Sequence, residues 1–115
     1  MSEIRTNRIA SQIREEISRM IIQGIIKDPR VTSSLSITEV KVSSDVSSAK
    51  VFVSSFGNSL ELEKGVAGLN HAAGFIQSRL AKHLHTRNTP RLHFIDDHSV
   101  EYGIQMIKKI EELDI

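Results

Sequence analysis

The sequence predicts an α+β fold, with helices packed on one face of a three-stranded mixed sheet. Two stretches with strand character, 35–42 and 49–54, are joined by the serine-rich turn Ser43-Ser44-Asp45-Val46-Ser47-Ser48. A long helical stripe then runs from Leu60 to Thr86. A third strand, Leu92-His93-Phe94-Ile95, follows only after that crossover, which permits parallel pairing with a neighbour. At 115 residues the chain reads as a single domain spanning 1–115.

The first helix is predicted over 5–26. Ile9, Ile13, Ile17, Met20 and Ile21 fall on one stripe, while Arg8, Arg14, Glu15, Arg19 and Gln23 face outward. Asp28-Pro29 is expected to end it, because the residue before proline is pushed out of the helical region. Asp28-Pro29-Arg30 then reads as a turn. In the first strand, Leu35 and Ile37 share one parity and Val40 and Val42 the other. Either both faces are partly covered, or a bulge near Thr38–Glu39 re-phases the strand. The second strand alternates cleanly through Ala49, Val51 and Val53, antiparallel to the first, with Phe52 on the opposite face. Asn58, followed three residues later by Glu61, resembles a capping pair at a helix start.

The central stripe is Leu62, Val66, Leu69, Ala73, Ile76, Leu80 and Leu84. It contains Gly65, Gly68 and Gly74, each costing a helix interior roughly 1 kcal/mol relative to Ala. Ala72-Ala73-Gly74 is therefore read as a small-residue kink between two helices. After the third strand, Asp96-Asp97-His98-Ser99 supplies cap residues for a last helix with Val100, Ile104 and Ile107 along its stripe, running nearly to Ile115. The predicted order is α-β-β-α-kink-α-β-α.

An apolar fraction of 39% and a charged fraction of 25% suit a soluble globular chain. There is no cysteine, so neither a disulfide framework nor thiolate chemistry is available. No run is apolar enough to span a membrane, and the first residues lack a signal-peptide core. A reducing, cytoplasmic setting is expected. The net charge is only +1, but it is unevenly spread. Arg79, Lys82, Arg87 and Arg91 occur with no acid between Lys64 and Asp96, and residues 96–115 carry six acids against Lys108 and Lys109.

No catalytic constellation emerges. Asp96 and Asp97 are adjacent and better explained as caps than as paired carboxylates. His83 and His85 lie about 200° apart on a helix and do not converge on a metal. His71, His93 and His98 have no ligand spacing, and no glycine-rich phosphate loop follows a strand. The chain is expected not to be an enzyme and to need no metal or cofactor. What remains is a basic surface: Arg79 and Lys82 on the second half of the kinked helix, Arg87 and Arg91 beyond it, with Lys50, Arg5 and Arg8 placed to join them. The few aromatic residues, Phe52, Phe56, Phe75, Phe94 and Tyr102, mostly fit the core. Recognition of RNA shape and backbone is expected rather than stacking on bases.

These motifs resemble the ribosome-binding factor A family. The matching positions are Asp28-Pro29-Arg30, Ile37-Thr38 with Val40 and Val42-Ser43, Ala49-Lys50-Val51-Phe52-Val53-Ser54, Ala73-Gly74-Phe75-Ile76, Arg87 with Pro90, Leu92 and Phe94, and Ser99 with Glu101 and Gly103. The resemblance implies a KH-like fold whose Ala-x-Gly kink is Ala72-Ala73-Gly74. It implies a non-catalytic factor that binds the free 30S subunit and the 5′ region of its 16S rRNA; a monomer is expected because the sequence shows no extra apolar stripe. Late maturation, 16S 5′-end processing and growth in the cold are the implied setting, with an assembly GTPase as a further partner. The chain departs from the family pattern at Gln77, where relatives often carry a cation, and it ends at Ile115 without the charged extension some members have. The other reading is a protein-interaction module that binds a ribosomal protein or a GTPase, with RNA contact incidental.

Overall fold

The computed structural model describes residues 3–84 and 88–98. The expected last helix, along with His85, Arg87 and Tyr102, lies outside them. The elements are α1 (Glu3–Ile22), β1 (Leu35–Val42), β2 (Ser48–Ser55), α2 (Ser59–His71), α3 (Ala73–His83) and β3 (Arg91–Asp96). The sheet order is β1-β2-β3, with β1 antiparallel and β3 parallel to β2. This is the predicted α+β architecture with a mixed sheet.

The predicted α1 stripe, Ile9 to Ile21, is buried throughout. The helix ends earlier than expected, at Ile22. Gly24 adopts a left-handed φ of 66°. The Ile25 N–H then donates to Met20 O at 3.0 Å and the Gly24 N–H to Ile21 O at 3.1 Å. That pair of reversed bonds closes the helix at a glycine, before the proline constraint acts.

In β1 the parity conflict is resolved by a bulge. Ile37 pairs with Val53, but Glu39 pairs with Phe52, so Thr38 is the extra residue. Leu35, Ile37, Val40 and Val42 thereby reach one face. The bulge is held by the Thr38 hydroxyl, which donates to Asp97 Oδ2 at 2.6 Å and also lies 3.3 Å from Phe52 O. In the hairpin that follows, buried Val46 takes a φ of 60°, a conformation that costs a β-branched residue about 1–3 kcal/mol. The Asp45 carboxylate fixes this turn by accepting from Ser47 Oγ, Ser43 Oγ and the Ser47 N–H. Those bonds hold its carboxyl below the usual range.

One face of the sheet carries the core. Ala49, Val51, Val53, Leu92 and Phe94 are buried against Ile13, Ile17, Leu69, Ile76 and Leu80. Each large aliphatic among them contributes about 1.5–3 kcal/mol by leaving water. Gly65 explains its own place in α2: a Cβ there would come within 2.7 Å of both Leu35 methyls. The helix accepts a propensity cost so that it can lie close on β1. Asn58 Oδ1 caps α2 by accepting the Glu61 N–H at 2.9 Å.

Candidate nucleic-acid interface

The stripe from α2 to α3 breaks at one residue. Ala72, with φ −89° and ψ 6°, ends the first helix and starts the second. Its N–H donates back to Gly68 O and its carbonyl accepts the Ile76 N–H, each at 3.0 Å. Ala72 has no side-chain acceptor, so the positive end of α3 is uncapped at the kink. Ala72 and Ala73 pack against the core. Gly74 is exposed, and a Cβ there would meet nothing within 4 Å. Among the described residues it packs against nothing.

Two side-chain amides tie the kinked helices to the free edge of β3. Asn70 Oδ1 accepts the Phe94 N–H at 2.9 Å, and Asn70 Nδ2 donates to Phe94 O at 3.0 Å. Gln77 Oε1 accepts the Leu92 N–H at 3.1 Å. Gln77 thus satisfies an edge-strand donor. Along this edge runs an open groove of about 800 Å³, lined by Lys50, Asn70, Ala73, Gln77, Arg91 and His93, among others.

The strand register explains its charge. Lys50 on β2 pairs with Lys41 on β1 and with His93 on β3. The three form a row across the sheet face away from the helices, and Arg91 lies two residues along from His93 on the same face. Like charges placed directly opposite one another destabilise a sheet. Among the described residues, none of Lys41, Lys50, His93 and Arg91 forms an ion pair. Lys41 Nζ instead lies 5.6 Å from the Phe52 ring centroid.

The expected site residues therefore separate. Lys50 and Arg91 meet in the β3-edge groove, beside the kink at Ala72, Ala73 and Gly74. Arg79 is two residues from Gln77, about 200° around α3, and so faces the other flank. It borders a shallow depression between α1 and α3 with Glu16, Arg19 and His83. Lys82 is exposed on α3. Arg5 and Arg8 are exposed on the first turns of α1, with Arg8 roughly 17 Å along the helix from Arg19. Lys41 and Asn70 were not singled out by the sequence, His93 was weighed only as a metal ligand, and Gln77 stood out only as a departure from the family pattern. Lys41 and Lys50 are equally spaced about the hairpin turn, which is the one signal that pairs them. The contacts of Asn70 and Gln77 are tertiary and leave no local pattern.

On the flank opposite the groove, the loop after α1 packs on α2 at Gly68. A Cβ there would lie 3.0 Å from Val31 Cγ2 and 3.1 Å from both Arg30 Cβ and Asp28 Oδ1. Asp28 Oδ1 accepts the Arg30 backbone N–H at 2.9 Å and Nε at 3.0 Å, while Oδ2 accepts Nη2 at 2.8 Å. The guanidinium and then the backbone N–H of Arg30 hold the Asp28 carboxyl far below the usual range, and Asp28 raises Arg30 in return. His71 Nδ1 lies 3.4 Å from Asp28 Oδ2.

The expectation that most aromatics fill the core fails. Phe94 is buried, but Phe56 is 87% exposed, Phe75 is 46% exposed and Phe52 is half-buried. Isoleucine, leucine and valine already fill the space between helices and sheet. Phe75, in the first turn of α3, points outward from that stripe.

The profile of the family described as "Ribosome-binding factor A" matches residues 5–110. A ribosome-binding factor A of Treponema denticola is 54% identical over 114 residues, covering 99% of this chain and 86% of the relative. That of Treponema pallidum is 45% identical, covering 99% and 90%. Among solved structures, a Thermotoga maritima protein assigned as a ribosome binding factor A superposes with a TM-score of 0.71 at 28% identity, over 86% of this chain and 92% of that one. A Thermus thermophilus ribosome binding factor A, a homology model fitted into a cryo-EM map of a 30S complex, gives a TM-score of 0.61 at 25% identity, over 77% and 91%. Matched over nearly its whole length in sequence and over most of it in fold, the chain belongs to the ribosome-binding factor A family.

Proposed function

We propose that this chain is a non-catalytic assembly factor that binds the free 30S subunit through its 16S rRNA, with the β3-edge groove as the contact surface. The carrying observation is the row Lys41, Lys50 and His93, joined by Arg91 at the mouth of the groove, with no ion pair to any of them among the described residues. Two lysines placed directly opposite each other, with no ion pair among the described residues, are disfavoured in the isolated fold and relieved by a polyanion. Similarity to a relative fitted into a 30S complex supports the same partner. Among the described residues, no cluster of His, Asp or Glu is suited to hold a metal ion, and no helix is long and apolar enough to cross a membrane. The finer setting follows the family: a cytoplasmic, monomeric single domain acting in late maturation and 16S 5′-end processing, chiefly in the cold. Depleting the factor at low temperature is expected to raise the fraction of 30S subunits carrying unprocessed 16S 5′ ends; normal ends would count against that setting.

The other reading, docking on a ribosomal protein or an assembly GTPase, has one observation in its favour. Phe56 and Leu60 are exposed beside Glu61 and Glu63, at the end of α2 far from the kink. Cosedimentation with free 30S subunits before and after nuclease treatment separates the two. The RNA reading predicts that association is lost on digestion; association that survives it would favour the protein partner.

A further inference from the structure

A second concavity lies on the opposite flank of the kink from the β3-edge groove. It is about 440 Å³, open to solvent, and lined by Ile25, Lys27, Pro29, His71, Ala72 and Phe75, with Asp28 at its base. That volume falls in the range of about 300–1,000 Å³ usual for small-molecule sites. Its walls are mainly apolar, and Phe75 turns an exposed ring toward them. The Arg79 guanidinium lies 5.9 Å from the ring centroid, is not part of the slot wall, and so braces the ring from outside.

Asp28 is the one acid among the lining residues; both of its oxygens accept from Arg30, and His71 Nδ1 lies 3.4 Å from Oδ2. Lys27 and His71 are exposed at the rim. An apolar slot with an aromatic wall, one lysine and an imidazole at its rim is complementary to a planar ring carrying a phosphate.

We infer that this slot takes one unpaired base of the bound RNA, stacked on Phe75, with its phosphate near Lys27 and His71. The inference rests on the RNA reading above and adds a single-stranded element to it. Stacking on an aromatic ring is sequence-tolerant, because every base offers a π face. The slot and the β3-edge groove lie on opposite flanks of one kink, so a strand crossing the kink would meet both. A duplex would reach the groove but leave the slot empty.

The test uses the full chain and its Phe75→Ala and Phe75→Leu variants. The probes are a short single-stranded RNA carrying 2-aminopurine and the same RNA annealed to its complement. Wild type is expected to quench the 2-aminopurine on binding. Phe75→Ala is expected to lose roughly ten- to hundredfold in affinity for the single strand and little for the duplex. Phe75→Leu, which keeps apolar bulk without the π face, is expected to fall between them. Thermal melting confirms that the variants fold. Unchanged single-strand affinity in Phe75→Ala, or equal losses for both RNAs, would overturn the base site while leaving the RNA reading in place. If wild type binds neither RNA, the RNA reading itself falls, and the base site with it. If Phe75→Ala weakens a 30S association that survives nuclease, the slot holds a protein side chain and the inference is overturned.

Discussion

The two faces of the sheet are written by the same strands and obey opposite rules. On the helix side, alternate residues Val51, Val53, Leu92 and Phe94 are excluded from water. On the other side, the residues between them place Lys41, Lys50 and His93 in one row, with Arg91 beside it. The covered face is built for stability, and the open face sets Lys41 directly opposite Lys50, with no ion pair to either among the described residues. Substitutions on the two faces should therefore separate folding from binding.

The largest effect belongs to the covered face. Phe94→Ala is expected to destabilise the fold by about 3–5 kcal/mol in urea unfolding, whereas His93→Ala, one residue away, should stay within about 0.5 kcal/mol. Similar losses for the two would break the contrast between faces. A smaller loss, about 1–2 kcal/mol, is expected for Asn70→Ala, which strips the β3 edge of both Phe94 partners. Because water reaches this edge, the value should sit at the low end, and a loss as large as that of Phe94→Ala would mean that Asn70 does more than cap the strand.

A pH experiment probes the flank away from the groove. The folded Asp28 carboxyl is held below its ordinary value near 4. Its contribution is therefore present above about pH 4 and lost as the pH falls toward the folded pKa. The melting-temperature gap between wild type and Asp28→Asn should be widest near neutrality and shrink below about pH 4. A gap that is constant with pH would remove Arg30 pairing as its source. The smallest expected effect is a gain: Lys50→Glu, facing Lys41 and His93, should stabilise the fold by about 0.5 kcal/mol while weakening 30S binding. Lower stability in that variant would show that the row is not repulsive.

Much of the fold was legible because burial repeats with the period of the element. The α1 stripe, the β2 alternation and the stripe in phase across the kink are each local patterns. The β1 conflict between Leu35/Ile37 and Val40/Val42 was legible only as a choice, since the bulge at Thr38 is stabilised from Asp97, 59 residues away. The end of α1 was misplaced because Pro29 outweighed Gly24, although a left-handed glycine stops a helix on its own. The candidate site was less legible. Lys50 and Arg91 stood out as cations, but their meeting with Lys41 and His93 depends on strand register. Arg79 and Lys82 belonged by spacing to the same surface, yet α3 turns them to the other flank. The exposure of Phe75 depends on how fully aliphatic residues fill the core, which no local pattern records.

The most direct test of the β3-edge groove as the RNA contact is the salt dependence of binding to free 30S subunits. In wild type, the logarithm of affinity should fall linearly with the logarithm of salt concentration. In the double variant Lys50→Ala/Arg91→Ala the slope should drop by about 1.4–1.8, for two phosphate contacts at roughly 0.7–0.9 each. A slope unchanged from wild type, with the double variant still folded, would contradict it.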